Sequence, residues 1–432
     1  MKKLSIPPLV TIASLLVAPA VMAQSPSTPT APSVPTAPSA PSALPAPAPA
    51  PAPEFQAAPA PAPAAPGDST DTLTFRVGAG VEGDNNVLRQ TNRISDTIGS
   101  LSLGAKLDKR YGLQRFRADV EASRFKYQDN SNLDYSTLNY NAAWDWSFTP
   151  RVHGVVSADR RQFRETSVDS LTGVNRVGRR TERTELAEGV YELGASWRAL
   201  GGVSHSLAKS TEPRSWDASP DIRSAYVGAG YEFPSGTSLT ARVRRGDGEY
   251  KDPTAGAATG DFKDNEVDLL FKWPITGRTA VEGRVGRLER KHDGAPQRDF
   301  SGMVASANMS WEITGKTRLL AGFARDLAAT GLAIGGSVRN DRFYISPVWK
   351  PTAQTAVNLK YERVARDWRS VPFGAPDFGR SETIQSWLIG AEWEPRRAVA
   401  LGANLRSERL KSNLPFSGYR ATVFGVTGKV YF

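Results

Sequence analysis

The residues of this chain that could do chemistry are few and scattered. Only three histidines occur, His153, His205 and His292, and there is no cysteine. Ser204 directly precedes His205, but adjacent residues of a strand point to opposite faces, so the two cannot serve as nucleophile and base on one side of a sheet. The sequence shows no nucleophile elbow, no metal-ligand spacing and no phosphate-cradling glycine loop. The expectation is a protein that is not an enzyme, with no catalytic residue, no metal and no cofactor. The densest local motif is Glu82-Gly83-Asp84-Asn85-Asn86-Val87-Leu88-Arg89. Its oxygens could hold a hard cation, yet Asp and Asn also cap turns and tolerate left-handed backbone. Without full cation-loop spacing, a turn is the expected reading.

Charge is the better clue. The chain carries 54 Lys and Arg against 44 Asp and Glu, a net charge of +10. Arg76, Arg115, Arg117, Arg242, Arg244, Arg284, Lys360, Arg406 and Lys429 fall at the polar positions of alternating segments. Asp119, Glu121, Glu266, Asp268, Glu282, Glu362 and Glu408 are interleaved with them. Fixed charges on the inner wall of a pore tune which solutes pass, so these nine basic residues are the candidates for contact with a solute. The plainer alternative is that the two signs pair across strands and keep the interior wet. An excess of Arg leaves a mild preference for anions in either case.

Those positions are defined by the elements that carry them. Leu73, Phe75, Val77, Ala79 and Val81 alternate with Thr74, Arg76, Gly78, Gly80 and Glu82, and similar stretches recur from residue 71 to the end. Phe424, Val426, Val430 and Phe432 share a face opposite Ala421, Thr427 and Lys429. Period-two alternation places one set on each side of a strand. Apolar-out and polar-in is what a barrel in lipid requires; a soluble sandwich would have to cover all its apolar faces with each other.

Connections separate the two. Short turns recur behind an aromatic residue: Trp146 to Pro150, Phe233 to Gly236, Trp273 to Gly277, Trp311 to Gly315, Trp349 to Thr352 and Trp393 to Arg396. Asp108 to Gly112 and Ala199 to Gly202 sit at the same spacing, which puts His153 and His205 near short turns. Longer polar stretches alternate with them, among them Glu165 to Glu182, Pro213 to Asp221, Asp252 to Asp264, Asp293 to Asp299 and Arg369 to Ser381. His292 adjoins one of these. Short turns at one end, long loops at the other and an interfacial aromatic girdle describe an outer-membrane barrel. Two strands per short turn and one at each end give about eighteen, an even number with both termini on the periplasmic side. Blades of a propeller would need four strands in each repeat of this length.

The N-terminus supplies the compartment. Lys2 and Lys3, the apolar run from Leu9 to Val17 and the small-residue site Val21-Met22-Ala23 make residues 1–23 a secretory signal peptide. Residues 24–70 are dominated by Pro and Ala, too poor in apolar bulk to bury a core, and are expected to form a disordered periplasmic linker of polyproline II character. Residues 71–432 form the barrel. Export makes nucleic acid an unsuitable partner for the positive charge; outer-membrane lipid, the phosphates of lipopolysaccharide, an anionic solute or a glycan fit better. The terminal Phe432 is the kind of residue that barrel assembly machinery reads.

The opening strand Leu73-Thr74-Phe75-Arg76-Val77-Gly78-Ala79-Gly80 and the following Asp84-Asn85-Asn86-Val87-Leu88-Arg89 resemble the EpsL-type β-barrel porins of exopolysaccharide gene clusters. The resemblance covers roughly residues 71–432. It implies a role in polysaccharide biosynthesis or export across the cell outer membrane, with polysaccharide and periplasmic export components as partners, and transfers no catalytic residue. The chain is thus expected to be an all-β, up-and-down antiparallel transmembrane barrel acting as a porin-like conduit. The alternative is a non-conducting surface barrel that binds or anchors polysaccharide or envelope partners.

Overall fold

The computed structural model describes residues 72–168, 175–211, 219–251, 261–329, 336–371, 373, 378–396, 398–415 and 417–432. The expected signal peptide and proline-rich linker lie outside these. Eighteen strands follow one another: β1 (Thr72–Asp84), β2 (Asp96–Tyr111), β3 (Gln114–Tyr127), β4 (Tyr135–Thr149), β5 (Val152–Val168), β6 (Asn175–Glu192), β7 (Trp197–Ser210), β8 (Pro220–Glu232) and β9 (Ser238–Tyr250) form the first half. The second comprises β10 (Phe262–Thr276), β11 (Thr279–His292), β12 (Phe300–Thr314), β13 (Thr317–Ala329), β14 (Ser337–Trp349), β15 (Thr355–Arg369), β16 (Ser381–Arg396), β17 (Val399–Ser412) and β18 (Tyr419–Tyr431). Each pairs antiparallel with its neighbours in sequence, and β1 pairs with β18 from Arg76 opposite Tyr431 to Asp84 opposite Val423. The sheet is therefore a closed barrel with no free edge, which is how a β-structure satisfies its backbone in hydrocarbon.

The side-chain alternation gives the wall two faces. Outward residues include Leu101 and Leu103 on β2, Val267 and Leu269 on β10, Trp387 and Ile389 on β16, and Phe424 and Val426 on β18, all exposed despite being apolar. A soluble protein would not leave this band uncovered. Trp197, Phe233, Trp273, Trp311, Trp349 and Trp393 are exposed at the short-turn end and form the expected girdle. From Phe424 to Phe432 the band is about 20 Å tall, allowing for strand rise and tilt. On β11 it ends at Val285, above which the outward residues are Arg287, Glu289 and Lys291. Placing an arginine in the band, as in Val426→Arg, should cost about 2–4 kcal/mol in urea unfolding of the refolded barrel; no measurable cost would mean that this face does not meet lipid.

Two connections differ from the sequence expectation. Ala199 to Gly202 lies inside β7, and the turn it stood for is at residues 193–196. The signal there, Gly194 with φ of 98°, lacks both tryptophan and proline. His205 consequently sits nine residues into β7, toward the long-connection end, while Ser204 and His205 point to opposite faces as expected. Most of the stretch from Glu165 to Glu182 is strand, because β5 and β6 continue as a tall hairpin paired up to Val168 opposite Asn175. Its abundant charge had the look of a loop but belongs to strands standing above the lipid band.

The motif after β1 is a latch rather than a cation site. Asn85 N–H donates to the Thr422 carbonyl at 3.1 Å, and Thr422 N–H donates to Asn85 Oδ1 at 2.8 Å. The Asn86 amide reaches the carbonyls of Gln90 and Arg420 at 2.7 and 2.9 Å. Arg89, at φ 53°, grips both oxygens of Asp84 at 2.9 and 2.7 Å and lies 3.6 Å from Glu408 of β17. Among the described residues no cluster of acidic groups and histidines has metal-binding geometry. The seam at the short-turn end is closed by reciprocal bonds between Phe75 and Phe432, at 3.1 and 2.9 Å.

Candidate functional site: the inner wall

The nine basic residues expected on the inner wall all occupy inward positions, and most are held by carboxylates. Arg76 lies between Asp119 and Glu121 of β3, at 2.6 and 3.1 Å. Its side chain crosses Gly104 so closely that a Cβ there would stand 2.5 Å from Arg76 Nε. Arg115 pairs with Asp108 at 2.6 Å and Arg117 with Asp145 at 2.9 Å. On β9 to β11, Arg242 pairs with Asp268 at 2.8 Å. Arg244 pairs with Glu266, and Arg284 lies 3.0 Å from Glu266 and 3.6 Å from Asp268. Lys360 meets Glu362 at 2.6 Å and lies 5.6 Å from the centre of the Tyr344 ring. The other two are within electrostatic reach of a carboxylate: Arg406 of Glu82 and Lys429 of Glu392.

Pairing across strands is thus the dominant arrangement, and much of it is dry. Arg242 and Asp268 are fully buried. Next to them Arg242 lies 4.9 Å from the centre of the Tyr226 ring, whose hydroxyl donates to Glu188 at 2.6 Å, and Leu186, Val190 and Leu200 pack around Tyr226. This part of the wall is a packed polar and apolar mosaic, not a wet surface. Ion pairs in such surroundings are costly to desolvate and are tolerated when well matched.

Sequence reasoning passed over the inward basic residues that remain accessible. Arg161 on β5 and Arg342 on β14 are both exposed. Arg342 is 3.8 Å from Glu362, and Arg161 acts electrostatically on the same Glu362. β5 and β15, the neighbour of β14, are eight strands apart around the ring of eighteen, so Arg161 and Arg342 stand on different parts of the inner wall. Asp159 and Glu182 stand beside Arg161, with Glu182 held by Arg180 at 2.9 Å. The signal was present in the alternation, since Asn340, Arg342 and Tyr344 share one face.

The histidines resolve into three structural roles. His153 faces Glu192 at 3.1 Å, and His205, on the outer face, bridges Glu185 and Asp221 at 3.2 and 2.7 Å. His292 lies above the lipid band in a cap built by Tyr250, Phe262, Phe300, Arg290 and Arg298, its Nε2 paired with the Tyr250 hydroxyl at 3.0 Å. Burial, with the cations of Arg298 and Arg290 nearby, pushes its pKa down to about 4. His292 is therefore neutral in the folded cap but would protonate near 6.5 in the open chain. Its contribution is complete above pH 6.5 and is lost as the pH falls through about 4. Amide exchange in residues 286–300 should accelerate over that window, and His292→Gln should flatten the response; pH-independent exchange in the native chain would refute it.

No protein-family model matches the chain, and no curated protein does. Among solved structures it is similar to the outer membrane protein OpdK of Pseudomonas aeruginosa, at 12% identity and a TM-score of 0.45 over 84% of this chain and 99% of that one. It is also similar to OccK2 (OpdF) of Pseudomonas aeruginosa, solved in complex with glucuronate, at 13% identity and 0.47 over 84% and 98%. OccAB3 of Acinetobacter baumannii aligns at 11% identity and 0.44 over 84% and 100%.

Proposed function

We propose that this chain is an outer-membrane channel, with its short turns and both strand-bearing ends in the periplasm and its long connections outside. It passes small solutes through a lumen filtered by charge. The observation that carries this reading is the pair of accessible guanidinium groups at inward positions, Arg161 on β5 and Arg342 on β14, the latter 3.8 Å from Glu362. Fixed charge lining a lumen tunes which solutes pass. With two exposed guanidinium groups there, the channel has a mild preference for anions. Reconstitution of the purified chain in planar bilayers tests it: reversal potentials should show anion preference, and Arg161→Glu with Arg342→Glu should invert it. Unchanged selectivity in that variant would place the filter elsewhere.

The narrower role in exopolysaccharide export rests on the likeness of the first strand and its Asp84-to-Arg89 motif. Those residues close the barrel seam, so support for this cargo must come from secretion: loss of the protein should halt export of the polysaccharide while other envelope functions continue. The non-conducting barrel is favoured by one observation, the packed inner wall around Arg242, Asp268 and Tyr226. A folded chain that gives no channels in bilayers would establish that reading over the first.

A further inference from the structure

The outer wall is asymmetric. At the short-turn end the apolar band finishes in tryptophan; at the other end it finishes, on many strands, in arginine. Arg223, Arg245, Arg287, Arg363, Arg409 and Arg420 are all exposed at outward positions above the band. On β13 and β14 such charge is neutralised: Arg325 meets Asp341 at 2.6 Å, and Arg339 meets Asp341 and Asp367 at 3.3 and 2.5 Å.

On β16 to β18 it is not. Arg409 stands directly opposite Arg420 across the β17–β18 pair, and its partner on the other side is Gln385. Lys411, the next outward residue of β17, is opposite Thr383. The outward positions above the band on these strands are Ser381, Thr383, Gln385, Ser407, Arg409, Lys411, Arg420 and Thr422, with no carboxylate among them. Like charges directly opposite one another destabilise a sheet, so this juxtaposition calls for an anion. Directly below, Leu405 pairs with Phe424 in the lipid-facing band, and Ser407 pairs with Thr422 in between. From apolar row to guanidinium pair is four residues, about 10 Å along the barrel axis.

We propose that Arg409, Lys411 and Arg420 bind the phosphate of a phosphorylated glycolipid whose acyl chains lie against Leu405 and Phe424. Guanidinium groups pair with phosphate through parallel hydrogen bonds, and the hydroxyls of Ser407 and Thr422 lie where sugar or ester oxygens of the same headgroup would fall. A glycolipid suits the patch better than a simple phospholipid because the cations are bordered by hydrogen-bonding side chains, Thr383, Gln385, Ser407 and Thr422.

The test uses the full chain refolded in detergent, titrated with purified lipopolysaccharide, with the same glycolipid after enzymatic removal of its phosphates, and with phosphatidylglycerol micelles. Native mass spectrometry reads bound lipid, and heat-dependent gel mobility confirms a closed barrel for each variant. Binding of the phosphorylated glycolipid should fall at least about tenfold in the R409Q/K411Q/R420Q triple variant. It should change little in R325Q/R339Q, where the charge is already matched. Unaltered binding by the folded triple variant, or equal binding of the dephosphorylated glycolipid, would overturn the site. Equal affinity for phosphatidylglycerol would overturn the glycolipid assignment. None of these readouts depends on conduction through the lumen.

Discussion

Arg89→Met should destabilise the barrel by about 3–5 kcal/mol, read as a fall in the urea midpoint of the refolded protein. The side chain of Arg89 is almost wholly buried, as are those of its partners Asp84 and Glu408. Removing the guanidinium leaves two buried carboxylates without the cation that holds both, while Asp84 still accepts from Asn86 N–H at 2.9 Å and Glu408 from the Tyr419 hydroxyl at 2.5 Å. Two buried like charges cannot be relieved by those neutral donors. Glu408→Gln in the same background should therefore recover a substantial part of the loss, a coupling that a simple packing defect would not show. The effect should be concentrated at the seam, because Asn85 and Asn86 tie β1 to β18 beside this cluster. A loss below about 1 kcal/mol would mean that water reaches the carboxylates and that the backbone ladder alone closes the ring.

The contrast between this motif and the rest of the barrel shows what a sequence can disclose. Fold and closure were legible because the period-two rule acts locally: each residue of β18 declares its face by parity, and Phe432 falls in line opposite the first strand. The turns were legible where tryptophan and proline marked them and illegible at residues 193–196, where Leu-Gly-Ala-Ser makes the turn with no proline and no aromatic inside it. The role of Asp84 to Arg89 was hidden for a different reason. Its partners, Glu408 and the carbonyl of Arg420, are more than three hundred residues away, and no local pattern announces a contact made by ring closure. Parity places Arg242 and Arg244 on the inner wall, and by the same rule Arg409 and Arg420 belong outside. The net positive charge of the chain therefore does not translate into a positive lumen; a good share of it lies on the outer wall above the lipid band.

The largest test of the inner wall itself is Asp268→Ala. Arg242 donates to Asp268 Oδ2 from Nε at 3.2 Å and from Nη2 at 2.8 Å, and both side chains are fully buried. Deleting the carboxylate strands a guanidinium whose remaining favourable neighbours are the face of Tyr226 and a more distant acidic group, Glu188, already occupied by the Tyr226 hydroxyl. Arg284, which also leans on Asp268 at 3.6 Å, loses part of its own balance. The expected cost is about 3–5 kcal/mol. Replacing the whole pair, as in Arg242→Met with Asp268→Leu, should cost much less, because a buried ion pair contributes little net stability over an apolar pair of similar volume. The comparison separates two pictures of the lumen. If the single variant falls far below the double, the wall near β9 and β10 is dry and structural, and solute contact belongs at the level of Arg161 and Arg342. If both variants lose less than about 1 kcal/mol, water already solvates Arg242, and the pair belongs to the conducting path.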